Sequence, residues 1–95
     1  IEMSAEVAQG KYANLALIAH GPNEFFIDMI CAAPNMPKAK VQARIIMSPE
    51  NSKNLMMALN ENVRKYEQTF GEIIQKRPIS PDAQFQFIGN KKNEA

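Results

Sequence analysis

The chain has 95 residues, 45% of them hydrophobic with five Phe and six Met, which describes one small domain and excludes a disordered polymer. A single Cys excludes an intramolecular disulfide framework and a Cys-based structural zinc site, and a single His excludes multi-His metal motifs. Eleven basic against ten acidic residues leave a formal charge of +1, which gives no bulk argument for nucleic acid or an anionic membrane.

The longest apolar runs, 15–19 and 29–33, fall far short of the ~20 residues of a spanning helix, so no membrane association is expected. Residues 1–20 do not show the charged-then-apolar pattern of a leader, and a leader removed ahead of Ile1 stays open. Residues 1–10 alternate weakly through Ile1, Met3, Ala5 and Val7 and read as an N-terminal arm or edge strand. Residues 11–74 read as a single ββ-β-α domain.

Within it, strands are predicted over 12–20 and 24–32, joined at Gly21-Pro22-Asn23, a strong turn signal that makes them a hairpin. Centring the turn on Pro22-Asn23 places His20 opposite Phe25, Ile18 opposite Ile27 and Ala16 opposite Met29. The other face then pairs Ala19 with Phe26, Leu17 with Asp28 and Leu15 with Ile30. A third strand over 39–47 follows Pro34-Asn35-Met36-Pro37. A loop centred on Met36 matches Phe25 with Met47, Ile27 with Ile45, Met29 with Ala43 and Cys31 with Val41. The opposite face pairs Phe26 with Ile46, Asp28 with Arg44 and Ile30 with Gln42. A slip by one residue would break both the apolar matches and the Asp28–Arg44 match, which fixes the register on two counts.

Ser48-Pro49-Glu50 starts a helix: the serine suits the N-cap, proline the first helical position, and the glutamate the positive end of the helix dipole. The helix should run to Phe70 and stop at Gly71, which can take the left-handed conformation. Met56, Leu59, Val63, Tyr66 and Phe70 recur three and four apart, forming an amphipathic stripe expected to lie on the apolar sheet face. The fold class is therefore α+β: a three- to four-stranded antiparallel β-meander followed by one long amphipathic C-terminal helix. Residues 75–95, with Pro78, Pro81, Gly89 and a polar end, read as a partly flexible tail. In it, Phe85-Gln86-Phe87-Ile88 alternates enough to dock on a sheet edge.

The order Tyr12-Ala13-Asn14, Glu24-Phe25-Phe26-Ile27-Asp28, Pro34, Arg44-Ile45-Ile46-Met47-Ser48-Pro49, Lys53, Leu59, Asn62, Tyr66-Glu67 and Gly71 resembles a small bacterial and archaeal family. That family is the domain of unknown function number 3467, and the likeness covers roughly residues 7–74. Met29 departs from it, standing where an aromatic is expected after Asp28. The resemblance implies a prokaryotic, cytoplasmic protein and no particular activity.

Asp28 and Arg44 form the most informative polar pair, read as a cross-strand ion pair that holds register rather than an anion site. His20, Glu24 and Asp28 do not converge, because i, i+4 spacing gathers side chains on a helix and not across a turn. Cys31 and His20 lie about five residue steps apart along the hairpin, roughly 15 Å at ~3.3 Å per step, too far for a nucleophile–base dyad. No catalytic set, metal site or cofactor is expected. Ser48 is read as a helix cap rather than an anion site, and no Gly-rich phosphate loop is present.

A helix covers only one face of a sheet. Leu15, Leu17, Phe26, Ile30 and Ile46 remain on the other and are the expected oligomer interface. The leading reading is a non-enzymatic oligomeric interaction module, a homodimer open to a further protein partner. The alternative is a nucleic-acid-associated regulator using Lys38, Lys40 and Lys53, extended by Lys76, Arg77, Lys91 and Lys92. The third is an enzyme acting on a small anion near Ser48 and Arg44.

Overall fold

The computed structural model describes residues 1–35 and 37–76. The tail signals at Phe85–Ile88 and at Arg77, Lys91 and Lys92 lie outside them. Three strands, β1 (Leu15–His20), β2 (Phe25–Cys31) and β3 (Lys40–Met47), form an antiparallel sheet in the order β1-β2-β3, followed by a long helix (Pro49–Phe70). The α+β meander-and-helix expectation holds.

Of the two readings of the first ten residues, arm or edge strand, the strand is not formed: Ala5–Ala8 makes one helical turn, α1, so the long helix is α2. The cause is local. Ser4 caps the turn, its Oγ accepting from the Val7 amide at 3.1 Å, and helix-favouring Ala and Glu outweigh a weak alternation.

The β1–β2 hairpin takes the expected register from Leu15 opposite Ile30 to His20 opposite Phe25. The Gly21 amide closes the turn by donating to the Glu24 carbonyl at 2.9 Å. Between β2 and β3 the pairs from Phe25–Met47 to Met29–Ala43 also match expectation. Beyond Met29 they do not. A bulge shifts the ladder, so Ile30 faces Val41 rather than Gln42, and Cys31 faces Lys40 rather than Val41. The shift gives Ile30 an apolar partner, and Ile30 is only 2% exposed, the one buried hydrophobic residue among those described.

Asn14 extends the sheet by one side chain. Its backbone amide donates to the Ile30 carbonyl at 3.0 Å. Its side-chain Nδ2 donates to the Ala32 carbonyl at 2.8 Å, and its Oδ1 accepts from the Ala32 amide at 3.0 Å. The carboxamide thus presents the donor and acceptor that one more strand residue would have offered.

The ends of α2 follow their sequence signals. Ser48 is the N-cap, its Oγ accepting from the Asn51 amide at 3.1 Å, with Pro49 in the first turn. Gly71 ends the helix at φ 100°, ψ 169°, a positive-φ extended conformation open essentially to glycine, rather than the left-handed helical one expected. The Glu67 side chain finishes the exit, its Oε2 accepting from the Ile73 amide at 3.0 Å.

The packing of α2 differs from expectation. The helix buries none of its residues. Leu59 is 60% exposed and Phe70 73%, with Met56, Val63 and Tyr66 also exposed. It meets the sheet face of Ile18 and Ile27 along its first three turns, across an open groove rather than in a packed layer.

Candidate interaction surface

Several of the exposed apolar residues lie on the sheet face toward α2 and along α2 itself. The β1–β2–β3 register puts Ile18, Ile27 and Ile45 in one row across the sheet, with Phe25 on the same face. The chain turns at Ser48 immediately after β3, so the first turns of α2 stand over this face. A groove of about 750 Å³ runs between them, lined by Ile18, Phe25 and Ile27 from the sheet and Leu55, Met56 and Leu59 from the helix. Ile18 is 53% exposed and Ile45 is also exposed. Beyond the groove the same helix stripe continues through Val63 to Tyr66 and Phe70, whose rings touch with centroids 4.9 Å apart. A concave apolar wall thus runs into a convex apolar ridge.

The other sheet face is more closed than its composition predicts. Of the five residues expected to form an oligomer interface, Ile30 is buried, Leu15, Leu17 and Phe26 are half-buried, and only Ile46 is exposed. Of the two sheet faces, the one toward α2 therefore carries more exposed apolar surface than expected, with Ile18 and Ile45 uncovered. The physical reason is that α2 does not lie down on the sheet.

The polar centre of that second face is the pair expected from the register. Arg44 Nε donates to Asp28 Oδ1 at 2.7 Å and Nη2 to Oδ2 at 2.9 Å, a bidentate fork. Its guanidinium also lies 5.5 Å from the centre of the Phe26 ring. Asp28 is 7% exposed while the Arg44 side chain is 59% exposed, so a buried carboxylate is held by a cation lying across the sheet surface.

The remaining candidates do not converge. Ser48 Oγ accepts from its own helix, and Arg44 is held by Asp28. Lys38 and Lys40 stand at the start of β3 and Lys53 beyond its end. Lys53 lines the groove with Phe25 and Ile27, toward the end of β3 where Phe25 faces Met47, the end opposite Lys40. His20 stacks on Phe25 with centroids 5.4 Å apart at the turn end of the hairpin, while Cys31 pairs with Lys40 at the far end. Among the described residues, no group of three or more His, Cys, Asp or Glu could hold a metal ion. No helix among them is long and apolar enough to cross a membrane.

One exposed ion pair perturbs its own titration. Arg64 Nη2 donates to Glu61 Oε2 at 2.7 Å across one helical turn. That hydrogen bond holds the Glu61 carboxyl below the usual glutamate value and raises the Arg64 guanidinium above its own.

Sequence reasoning missed the Asn14 carboxamide and the exposure of the helix stripe. A polar residue directly before an apolar strand is a usable signal for the first. Nothing in an amphipathic stripe says whether its cover lies in the same chain, so the second had none. No curated protein and no solved structure matches the chain. Residues 1–75, more than three quarters of its length, match the model of a family described as a protein of unknown function, and with the fold and motifs above the chain belongs to that family, DUF3467.

Proposed function

We propose that the chain is a non-enzymatic oligomeric interaction module that works as a homodimer, in a bacterial cytoplasmic setting. One observation carries the reading: a 22-residue helix, capped at both ends, buries no residue of its own while presenting an apolar stripe beside an apolar groove. Most helical stability in proteins comes from packing an amphipathic face rather than from local propensity. Caps and turn-to-turn contacts such as Tyr66–Phe70 add only tenths of a kcal/mol to about 1 kcal/mol each, so α2 is better served by a partner. A contiguous apolar patch of this kind is the usual mark of an interface.

Nucleic-acid binding is less well served, because Lys38 and Lys40 stand at the start of β3 while Lys53 lines the groove toward its other end. The reading is tested by light scattering of the purified chain across micromolar concentrations. The expected mass is twice that of one chain, falling towards the single-chain value on dilution. A single-chain mass throughout would overturn it. Salt-dependent retention on immobilised DNA or RNA would favour the alternative.

A further inference from the structure

Resting on the dimer reading above, we infer that two copies pair through α2 in antiparallel fashion, with Lys53 of each copy beside Glu67 of the other. Ser52, Met56, Leu59, Val63, Tyr66 and Phe70 recur at alternating spacings of four and three, the a/d seam of a helix pair. Antiparallel pairing about the level of Glu61 layers Met56 against Tyr66, Leu59 against Val63, and Ser52 against Phe70, each twice by symmetry. All five large apolar residues of the seam then have a partner. A shift of one heptad in one direction faces Met56 with residue 73, beyond the helix end; a shift in the other faces Phe70 with residue 45, in β3.

Charge selects the same register independently. Among the residues flanking the seam, only Lys53 and Glu67 are charged, and this arrangement brings each beside the other's counterpart across the two-fold axis. Asn60 then lies near Asn60, and Asn62 near Asn62. Glu50, Lys65 and the Glu61–Arg64 pair lie away from the seam. Parallel pairing offers no such match, because Lys53 and Glu67 sit fourteen residues apart, about 21 Å along the axis. Lys53 makes no ion pair among the described residues and lines the groove.

The groove supplies the third agreement. Ser52 and Met56 line it together with Ile18, Phe25 and Ile27. The residues layered against them are Phe70 and Tyr66 of the second copy, the exposed aromatic pair at the free end of the stripe. A space of about 750 Å³ has room for two such side chains. The convex end of each helix thereby fills the concave start of the other.

The experiment is a charge exchange followed by analytical ultracentrifugation at low and high salt, with helicity checked by circular dichroism. Lys53→Glu alone and Glu67→Lys alone each place two like-charge contacts in the homodimer and should weaken it about tenfold at low salt, less at high salt. Mixing the two variants restores both opposite-charge contacts in a heterodimer and should return the wild-type affinity. The double variant K53E/E67K should also dimerise as the wild type does, which keeps the test decisive where E67K alone suffers from losing the Glu67–Ile73 contact. A wild-type dimer whose affinity is untouched by K53E, or is not restored by mixing or by the double exchange, overturns the antiparallel register and leaves the dimer reading standing. A wild-type chain that never dimerises overturns both.

Discussion

The sheet and the long helix of this protein are equally regular and differently supported. In β1–β3, side chains answer one another across strands: Arg44 grips Asp28, Val41 meets Ile30 through a bulge, and the Asn14 carboxamide completes the end of β2. In α2 the hydrogen bonds and ring contacts among the described residues are local, from the Ser48 cap through the Glu61–Arg64 and Tyr66–Phe70 contacts to the glycine exit. Local signals are enough to decide where a helix begins and ends. They do not supply the burial on which most helices rely, and among the described residues nothing covers the stripe beyond its first turns.

The sharpest way to break the comparison is to truncate one apolar side chain in each region. Ile30→Ala removes a side chain that is 2% exposed and should destabilise the protomer by ~2–5 kcal/mol in urea unfolding. Leu59→Ala removes one that is 60% exposed, and in the dilute protomer it should change stability by only about 0.5 kcal/mol. At dimer-forming concentrations the same substitution should weaken association. Equal unfolding losses for the two variants in dilute solution would mean that α2 is packed within the chain.

Arg44→Met is the next largest test. It withdraws a bidentate partner from a buried carboxylate, and breaking a buried pair costs ~3–5 kcal/mol; with Arg44 itself more than half exposed, about 3 kcal/mol is expected. A loss under ~1 kcal/mol would reduce the pair to a surface contact. Asn14→Ala should cost about 1–2 kcal/mol by removing two hydrogen bonds to Ala32, and hydrogen exchange at the Ala32 amide should accelerate well beyond that at Phe26. Uniform acceleration along β2 would show that Asn14 does not act locally.

These effects also mark what the sequence could and could not convey. The hairpin register was legible because Gly21-Pro22-Asn23 limits the turn and strands alternate with period two. The central β2–β3 register was legible because Asp28 and Arg44 tie the two strands at one point. The bulge after Met29 was not, since unbroken alternation carries no sign of an extra residue, and the gain from facing Ile30 with Val41 follows from how deeply Ile30 sits. Ser48, Pro49 and Gly71 set the helix limits because caps act on backbone groups within a turn. The fate of the stripe depended on tertiary placement. Its spacing declared an apolar surface in need of cover, and the expected owner, the sheet face, meets only its first turns. The lysines illustrate the same limit: 38 and 40 come at the start of β3 and 53 comes after its end, and sequence alone does not say how near a strand and a turn bring them.

The smallest effect comes from the most visible surface contact. Glu61 and Arg64 form a fork with hydrogen bonds of 3.2 and 2.7 Å, on the side of α2 away from the stripe. Because the Glu61 carboxyl titrates below its ordinary value of 4.5, its contribution is full above that pH and disappears as pH falls through the lowered value. Both side chains remain about half exposed, so water and salt screen the charges, and holding two flexible side chains together offsets much of the attraction. Glu61→Gln should therefore leave the thermal midpoint at neutral pH unchanged within error and should slightly flatten the acid limb of the stability profile. It should leave the dimer affinity unchanged as well, since the pair does not face the second helix. A clear loss of association in that variant would move the seam around the helix and take the Lys53–Glu67 pairing with it.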